Sequence, residues 1–212
     1  MKKIIFCLLL VLPSWVFAQI GIRTGANFAN VTKASSINNS SRSGFHVGVL
    51  LSPSSKGIIS SRTELIFSRQ GYDYKTGTNT GNVNLDYIMM PQLMSINITK
   101  YFSILVGGHM AFLLNAKVDS SNGTSGGIGN DIMDLYNRFD YGYGGGVEVH
   151  PYKGLLVGAR VNISLGNLYD PNSYANGSSP SFIPKIDVKN NVFQVYAGWK
   201  LGGTKKDKKK NE

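Results

Sequence analysis

The chain of 212 residues has a single cysteine and little charge, and each shortage excludes a class of protein. Because Cys7 lies in the apolar N-terminal segment, the rest of the chain predicts no disulfide, no thiol chemistry and no cysteine-based metal site. Charged residues make up only 16% of the sequence. After residue 18, no apolar run approaches the ~20 residues that a membrane-spanning helix needs, and no helical period lasts more than a turn or two.

The N-terminal segment MKKIIFCLLLVLPSWVFA has the layout of a cleaved secretory signal. It has a dibasic start, an apolar run from Ile4 to Leu12, and Val16-x-Ala18 before Gln19. The apolar run is too short for an uncleaved membrane anchor. We therefore predict that residues 1–18 are a signal peptide, cleaved near Ala18.

The formal net charge of +10 would suit a nucleic-acid-binding protein, but its distribution does not. Two basic residues lie in the signal segment and five in the Lys-rich tail, residues 204–212. The 15 basic and 10 acidic residues that remain are scattered along the chain. Phosphate binding needs a clustered basic face, so no nucleic-acid partner is expected, and the tail is interpreted as a solvated end.

Glycine is abundant, with 25 residues, and alternation typical of β-strands dominates the middle of the chain. In FDYGYGGGVEV, residues 139–149, aromatic and aliphatic side chains alternate with glycine, Asp140 and Glu148. Strands of roughly 10–15 residues are long for a soluble sandwich and suit a tilted crossing of a bilayer, which takes ~9–11 residues plus the rims. The predicted strands lie at about 20–30, 43–52, 58–71, 85–97, 101–115, 139–150, 155–167 and 192–202.

The connections between these strands alternate between long and short, which is typical of an outer-membrane barrel. The short ones, PSSKG, TK and PYKG, are turn sequences. With both termini in the periplasm, every long connection falls outside the cell, at about 31–42, 72–84, 116–138 and 168–191. The chain is therefore predicted to be an eight-stranded, antiparallel, up-and-down transmembrane β-barrel over residues 19–203, followed by a Lys-rich periplasmic tail.

Aromatic residues predicted to point outward gather near the external ends of the strands. Aromatic rings are stabilised at the boundary between hydrocarbon and headgroups, because one side is apolar and the rest can meet water. The set comprises Phe28, Phe45, Phe67, Tyr87, Phe112, Tyr141 and Phe193, with Tyr169 just beyond the seventh strand.

The opposite face of the strands carries glycine and polar residues, which predicts a polar lumen filled by side chains. An unpaired charge in so narrow a space would carry a large desolvation cost. Glu64 and Glu148 are therefore each expected within salt-bridge reach of an inward Arg or Lys. The predicted polar network of the lumen comprises Arg23, His46, Arg62, Glu64, His109, Asp140, Glu148, Arg160 and Lys200.

One predicted strand, LDYIMMPQLMSINI, breaks the alternation at Pro91, which cannot donate a hydrogen bond to a neighbouring strand. Tyr87 and Met89 are predicted to point outward before it. Met94, Ile96 and Ile98 fit the outer face only if the alternation reverses, which one extra residue near Pro91 to Leu93 would produce.

These segments together resemble the PorT-like outer-membrane β-barrel proteins of Bacteroidota over residues 19–202. The similar pieces are GIRTGANFAN, TELIFSRQGY, LDYIMMPQLM, FDYGYGGGVEV, LLVGARVNISLGNL and FQVYAGWKLG. The resemblance implies an outer-membrane location, an eight-stranded barrel and no catalytic or ligand residues. One type of member is linked to protein secretion across the outer membrane. This chain differs in ending on a Lys-rich tail rather than on an aromatic residue.

A non-enzymatic barrel that acts structurally, or binds partners through its external loops, is the favoured function. One alternative is an enzyme acting on lipid or peptide with His46 and Asp140, both predicted inward near the external end; another is a narrow channel. A soluble lipocalin-like binder would need the reverse alternation. Expected partners are outer-membrane lipid and lipopolysaccharide, the barrel assembly machinery and proteins at the external loops. A monomer without cofactor or metal is expected.

Overall fold

The computed structural model describes residues 18–32, 40–53, 57–76, 79–120, 133–169 and 188–201. Residues 1–17 of the predicted signal peptide, the Lys-rich tail and large parts of the predicted loops lie outside these residues, whereas Ala18 begins the first strand. Within the described ranges, no helix is long and apolar enough to cross a membrane. The helical structure there is a short 3-10 turn at Met133–Leu135.

Eight antiparallel strands pair in sequence order, and the first pairs with the last to close a barrel. This arrangement confirms the predicted fold. The strands are β1 (Ala18–Val31), β2 (Ser40–Pro53), β3 (Ile59–Thr76), β4 (Asn79–Asn97), β5 (Phe102–Ser120), β6 (Phe139–Val149), β7 (Leu155–Ser164) and β8 (Asn190–Leu201).

The two ends of the barrel differ in their connections. One end, which we call the turn end, carries the β2–β3, β4–β5 and β6–β7 connections. β1 begins and β8 ends at this same end. Two of these turns are tight, since Thr99 N donates to Phe102 O at 3.1 Å and Leu155 N donates to Tyr152 O at 3.1 Å. The other four connections lie at the opposite end, which we call the loop end.

The outer wall is covered by apolar and aromatic side chains, as the alternation predicted. Six of the predicted outward aromatics lie on this wall. Five of them have rings that pair across neighbouring strands at centroid distances of 5.2–6.3 Å, with Phe139 as the partner of Phe112, and Tyr141 packs on Phe139 of its own strand. So large a continuous apolar surface is unfavourable in water and matches the hydrocarbon of a bilayer. The six are Phe28, Phe45, Phe67, Phe112, Tyr141 and Phe193.

Three predicted outward positions are wrong. Tyr87 and Met89 are 1% and 2% exposed and belong to an apolar cluster inside the barrel, as does Tyr169. The extra residue that we predicted between Pro91 and Leu93 does not exist, because β3 and β4 keep one register on both sides of Pro91.

The irregularity lies on the next strand instead. The β4–β5 register shifts between Asp86 and Tyr87, where β5 accommodates Leu114 as an extra residue. Ala111 and Leu113 are buried before this point and Ala116 after it, while Leu114 is exposed. The bulge therefore reverses the inward and outward alternation of β5. Leu114 has none of the Pro or Gly signals that would have marked a bulge in the sequence.

The predicted external loop at 72–84 is also wrong, because β3 continues to Thr76 and β4 begins at Asn79. β5 accompanies them as far as the pair Gly81↔Ser120. We call residues 72–76, 79–86 and 114–120 the strand extension. Its Asn-, Thr- and Gly-rich composition resembles a loop, but its apolar residues alternate and face one another across the strands.

Candidate functional site

Two arginines converge on Glu64 at the centre of the barrel. Arg23 Nη1 and Arg160 Nη1 each donate to Glu64 Oε2 at 2.8 Å, and all three side chains are fully buried. β1, β3 and β7 supply one residue each, so this cluster ties together strands that are not neighbours in the barrel wall. Charge-assisted bonds of this kind are the stronger class of hydrogen bond.

A second ion pair lies beside the first. Both Nη atoms of Arg62 donate hydrogen bonds to Glu148, one to each carboxylate oxygen, at 2.6 and 2.7 Å. Arg62 Nη1 also lies 3.7 Å from Glu64 Oε1, which links the two pairs. The structure thus pairs both inward glutamates with arginine, and that prediction is confirmed. Tyr196 was missed: its hydroxyl donates to Glu148 at 3.1 Å, and its ring lies 3.6 Å from the Arg23 guanidinium carbon.

Amide side chains extend the network and determine the tautomer of His46. His46 Nδ1 lies 2.7 Å from Asn27 Oδ1, which can only accept, so Nδ1 carries the proton. His46 Nε2 then accepts from Arg23 Nη2 at 3.1 Å. Gln194 completes the ring by donating to Asn27 at 3.0 Å and accepting from Arg160 at 2.8 Å. Because its acceptor nitrogen is occupied, His46 in this arrangement is not free to act as a general base.

The remaining members of the predicted network lie elsewhere on the inner wall. Asp140 accepts a hydrogen bond from Ser164 at 2.5 Å near the loop end, and His109 lies beside Gly142. Lys200 lies at the turn end and is partly exposed. The described side-chain hydrogen bonds join His46 to Arg23 and Asn27 and do not join it to Asp140.

An apolar layer lies beside the central network, since Leu50 is the register partner of Glu64 and Leu93 is that of Arg62. It is built from inward residues of five different strands, all no more than 2% exposed. Its leucines were not among the inward residues that we predicted. The layer comprises Leu50, Leu93, Leu105, Leu156 and Tyr196.

A larger apolar and aromatic cluster fills the loop end, which the sequence prediction of a polar lumen did not include. Tyr72 of the strand extension contacts the hydroxyl of Tyr169 and lies 3.4 Å, oxygen to oxygen, from the hydroxyl of Tyr136. The rings of Tyr136 and Tyr169 are 5.0 Å apart. Burial raises the pKa of Tyr136 well above its ordinary value, so this hydroxyl remains protonated. We call Tyr72, Tyr136 and Tyr169 the tyrosine cap.

A repeated dipeptide could have indicated this cap. Leu-Tyr occurs in both of the longest connections, as Leu135-Tyr136 and Leu168-Tyr169. The two tyrosines form an isolated β-bridge. Asn137 holds them in place, since its side-chain amide donates to the carbonyl oxygens of Asn167 and Tyr169 at 2.7 and 3.0 Å.

Charged side chains also line the outer wall near the loop end, on β2, β3 and β4. Arg42 binds Asp73 at 2.7 Å and Asn84 at 2.8 Å, and Arg69 binds Asp86 through two bonds of 2.7 and 3.0 Å. The Arg69 guanidinium carbon lies 5.4 Å from the centre of the Phe45 ring. These ion pairs therefore adjoin the aromatic residues of the outer wall, where lipid headgroups would meet a barrel in a bilayer.

The family model for the outer membrane protein beta-barrel domain matches residues 17–170. Ail, the attachment invasion locus protein of Yersinia pestis, is 14% identical, with a TM-score of 0.48 over 87% of this chain and 99% of that one. Neisserial surface protein A is 13% identical, with a TM-score of 0.48 over 86% and 97%. OprG from Pseudomonas aeruginosa is 12% identical, with a TM-score of 0.44 over 88% and 97%. No curated protein matches the chain significantly in sequence.

Proposed function

The chain belongs to the outer membrane protein β-barrel domain family, and from this premise we propose that it acts without catalysis, through contacts made at its loop end. The outer membrane is the location of this family. The finer membership suggested by the sequence, among PorT-like proteins of Bacteroidota, is part of the proposal. A role beside secretion machinery or in adhesion is compatible with it.

The filling of the barrel is the observation that carries this proposal. Ion pairs span the lumen, leucines lie beside them, and the tyrosine cap lies towards the loop end. An eight-stranded barrel is only wide enough for its own side chains. With those side chains packed against one another, the lumen offers no route for general diffusion, and the functional surfaces are the outer wall and the loop end.

We further propose that the loop end faces the cell exterior and the turn end faces the periplasm, with the Lys-rich tail on the periplasmic side. Arg42 and Arg69 then lie at the level of lipopolysaccharide headgroups, above the aromatic residues of the wall. The barrel assembly machinery is the proposed partner during insertion. Inside the bilayer the closed ladder leaves no free strand edge, which favours a monomer.

Reconstitution into planar bilayers tests the closed barrel. The purified protein should give no stable conductance on the nanosiemens scale. Stable openings of that size from the monomer would overturn the proposal and favour a channel.

The enzymatic alternative has its own test. We expect neither lipid A deacylation nor peptide cleavage by the purified protein. If either activity appeared, and His46→Ala abolished it while the barrel remained folded, the function would be catalytic.

A further inference from the structure

β5 extends farther towards the loop end than β6, the strand that follows it in the barrel. β5 and β6 pair from Phe102↔Val149 to Phe112↔Phe139, and one more bond joins Leu113 N to Arg138 O at 2.8 Å. β5 nevertheless continues to Ser120. Among the described residues, nothing pairs with residues 114–120 on the β6 side.

The chain that leads into β6 turns away from this edge. The backbone N–H of Tyr136 donates to Met133 O at 3.3 Å, and that of Asn137 donates to Leu168 O at 3.0 Å. These bonds direct the segment across the loop end towards the tyrosine cap. The described part of the β5–β6 connection therefore does not occupy the position that a longer β6 would take.

The alternation of the ladder identifies which backbone groups of this edge point away from β4. The carbonyl oxygen of Asp119 points towards β4, since it lies 2.5 Å from the position that a Cβ on Gly81 would take. Successive residues of a strand direct their N–H and C=O groups to opposite sides. The groups of Ala116, Val118 and Ser120 therefore point to the open edge. Such a row of donors and acceptors is complementary to another extended backbone.

The residues on the two faces of this edge predict which side chains an added strand would carry. Ala116 is fully buried and Val118 packs against the apolar cluster of the loop end. Lys117 and Asp119 are exposed on the outer face. An incoming strand would fit with aliphatic residues on its inner face, an acid opposite Lys117 and a base opposite Asp119, because opposite charges stabilise directly facing positions and like charges destabilise them.

A second copy of the chain does not meet these requirements. Two copies inserted in one membrane have β5 running in the same direction, from the turn end to the loop end. Pairing the edges in that orientation and in register would place Lys117 opposite Lys117 and Asp119 opposite Asp119, and like charges in facing positions are unfavourable.

We propose that residues 114–120 of β5 bind an extended segment of another polypeptide, which adds antiparallel to the edge and continues the ladder that β6 begins. The segment carries aliphatic residues opposite Ala116 and Val118, an acid opposite Lys117 and a base opposite Asp119. The inference rests on the proposed function, since it assigns the partner contact of the loop end to a defined edge.

Two synthetic peptides of the same composition test this with the full-length protein in lipid nanodiscs. In antiparallel pairing, the sequence Thr-Lys-Val-Glu-Val-Thr places its Lys opposite Asp119 and its Glu opposite Lys117. The control, Thr-Glu-Val-Lys-Val-Thr, places like charges together. Binding is followed by the amide NMR signals of Ala116, Val118 and Ser120. The control peptide should bind roughly tenfold more weakly, given two cross-strand charge pairs.

Two variants complete the test. The double variant Lys117→Asp/Asp119→Lys should reverse the preference between the peptides, while leaving the barrel spectrum unchanged. Val118→Pro should abolish binding of both, because it removes an N–H that points to the edge and none that points to β4.

Four results would overturn the inference: no binding of the first peptide, equal or tighter binding of the control, no reversal by the double variant, or retained binding in Val118→Pro. Slow hydrogen exchange at Ala116 and Val118 before any peptide is added would also overturn it, since the edge would then already be covered. None of these results would contradict the conclusion that the barrel is closed. An open pore in planar bilayers, by contrast, would overturn the proposed function itself.

Discussion

At the residue scale, Glu64 is the position on which most of the buried charge depends. Its Oε2 accepts from both Arg23 and Arg160, and its other oxygen lies 3.7 Å from Arg62. All of these side chains are at most 2% exposed. Ion pairs so far from water contribute little net stability when intact, but removing one partner leaves an uncompensated charge.

Replacing Glu64 with Gln should therefore destabilise the barrel strongly. Two buried guanidinium groups would lose their counter-charge, at a cost of about 3–5 kcal/mol in the free energy of unfolding. Urea-induced unfolding from phospholipid vesicles measures the change. Asp73→Asn is the control: it removes the carboxylate from the partly exposed Arg42–Asp73 pair and should cost about 0–1 kcal/mol. Equal effects of the two substitutions would contradict the central role of Glu64.

His150 makes stability depend on pH at the turn end. Burial lowers its pKa below the ordinary value, although the Glu148 carboxylate, 3.2 Å away, acts in the opposite direction. Just below the ordinary histidine pKa, unfolded His150 then binds a proton that the folded residue does not. Its contribution to stability is present above that pH and is lost as the pH falls.

We accordingly expect the wild-type free energy of unfolding to fall more between about pH 7.5 and pH 5.5 than that of His150→Gln. Urea titrations of both proteins across this range measure the difference. A steeper fall for the variant would mean that the interaction with Glu148 outweighs burial.

At the scale of the elements, the strand extension depends on a glycine in β3. Gly71 has a φ of 148°, which side chains rarely adopt, and a Cβ there would lie 1.9 Å from the carbonyl oxygen of Val83. The close approach of β3 and β4 at this point brings Tyr72 and Tyr74 onto the apolar cluster of the loop end. Gly71 is thus where the barrel wall continues into the extension.

Gly71→Ala should loosen the extension, with a cost of roughly 1–3 kcal/mol for the strained backbone and faster proteolysis between residues 72 and 86. Gly145→Ala provides the control, because a Cβ there would meet nothing closer than the Leu105 carbonyl oxygen at 3.6 Å. Its effect should lie within about 0.5 kcal/mol. If both variants resist protease as the wild type does, the extension does not depend on this glycine.

At the scale of the whole molecule, three groups of side chains fill one barrel. Leucines and ion pairs lie side by side across the lumen, and the apolar cluster with its tyrosine cap closes the loop end. Each group draws side chains from non-adjacent strands, so the groups brace the wall as well as fill it. Under the proposed function, the surfaces left for partners are therefore the outer wall and the loop end.

The proposed orientation predicts which end is accessible in intact cells. Thr80→Cys at the loop end and Lys153→Cys at the turn end, each in a Cys7→Ser background, report the two ends. A membrane-impermeant biotin maleimide should label Thr80→Cys in intact cells, and Lys153→Cys only after the outer membrane is permeabilised. The opposite pattern would reverse the orientation.

The sequence by itself determined the number of strands, the polarity of the wall and the members of the central ion pairs. Inward and outward positions alternate with period two, which is a local signal. Lipid reinforces it, because a charged side chain facing mid-bilayer hydrocarbon costs roughly 2–4 kcal/mol. Arg23, Arg62, Glu64, Glu148 and Arg160 could therefore be identified as inward without knowing any contact.

Only the tertiary structure decided which of these groups meet and where the alternation shifts. The partners of Glu64 lie 41 and 96 residues away in the chain, and Tyr169 lies 97 residues from Tyr72, which it contacts. Such pairings depend on the register of every intervening strand, and one bulge at Leu114 changes it. Tyr72 meets Tyr136 and Tyr169 because the closed barrel brings the loop-end connections against β3, and no local sequence pattern contains that contact.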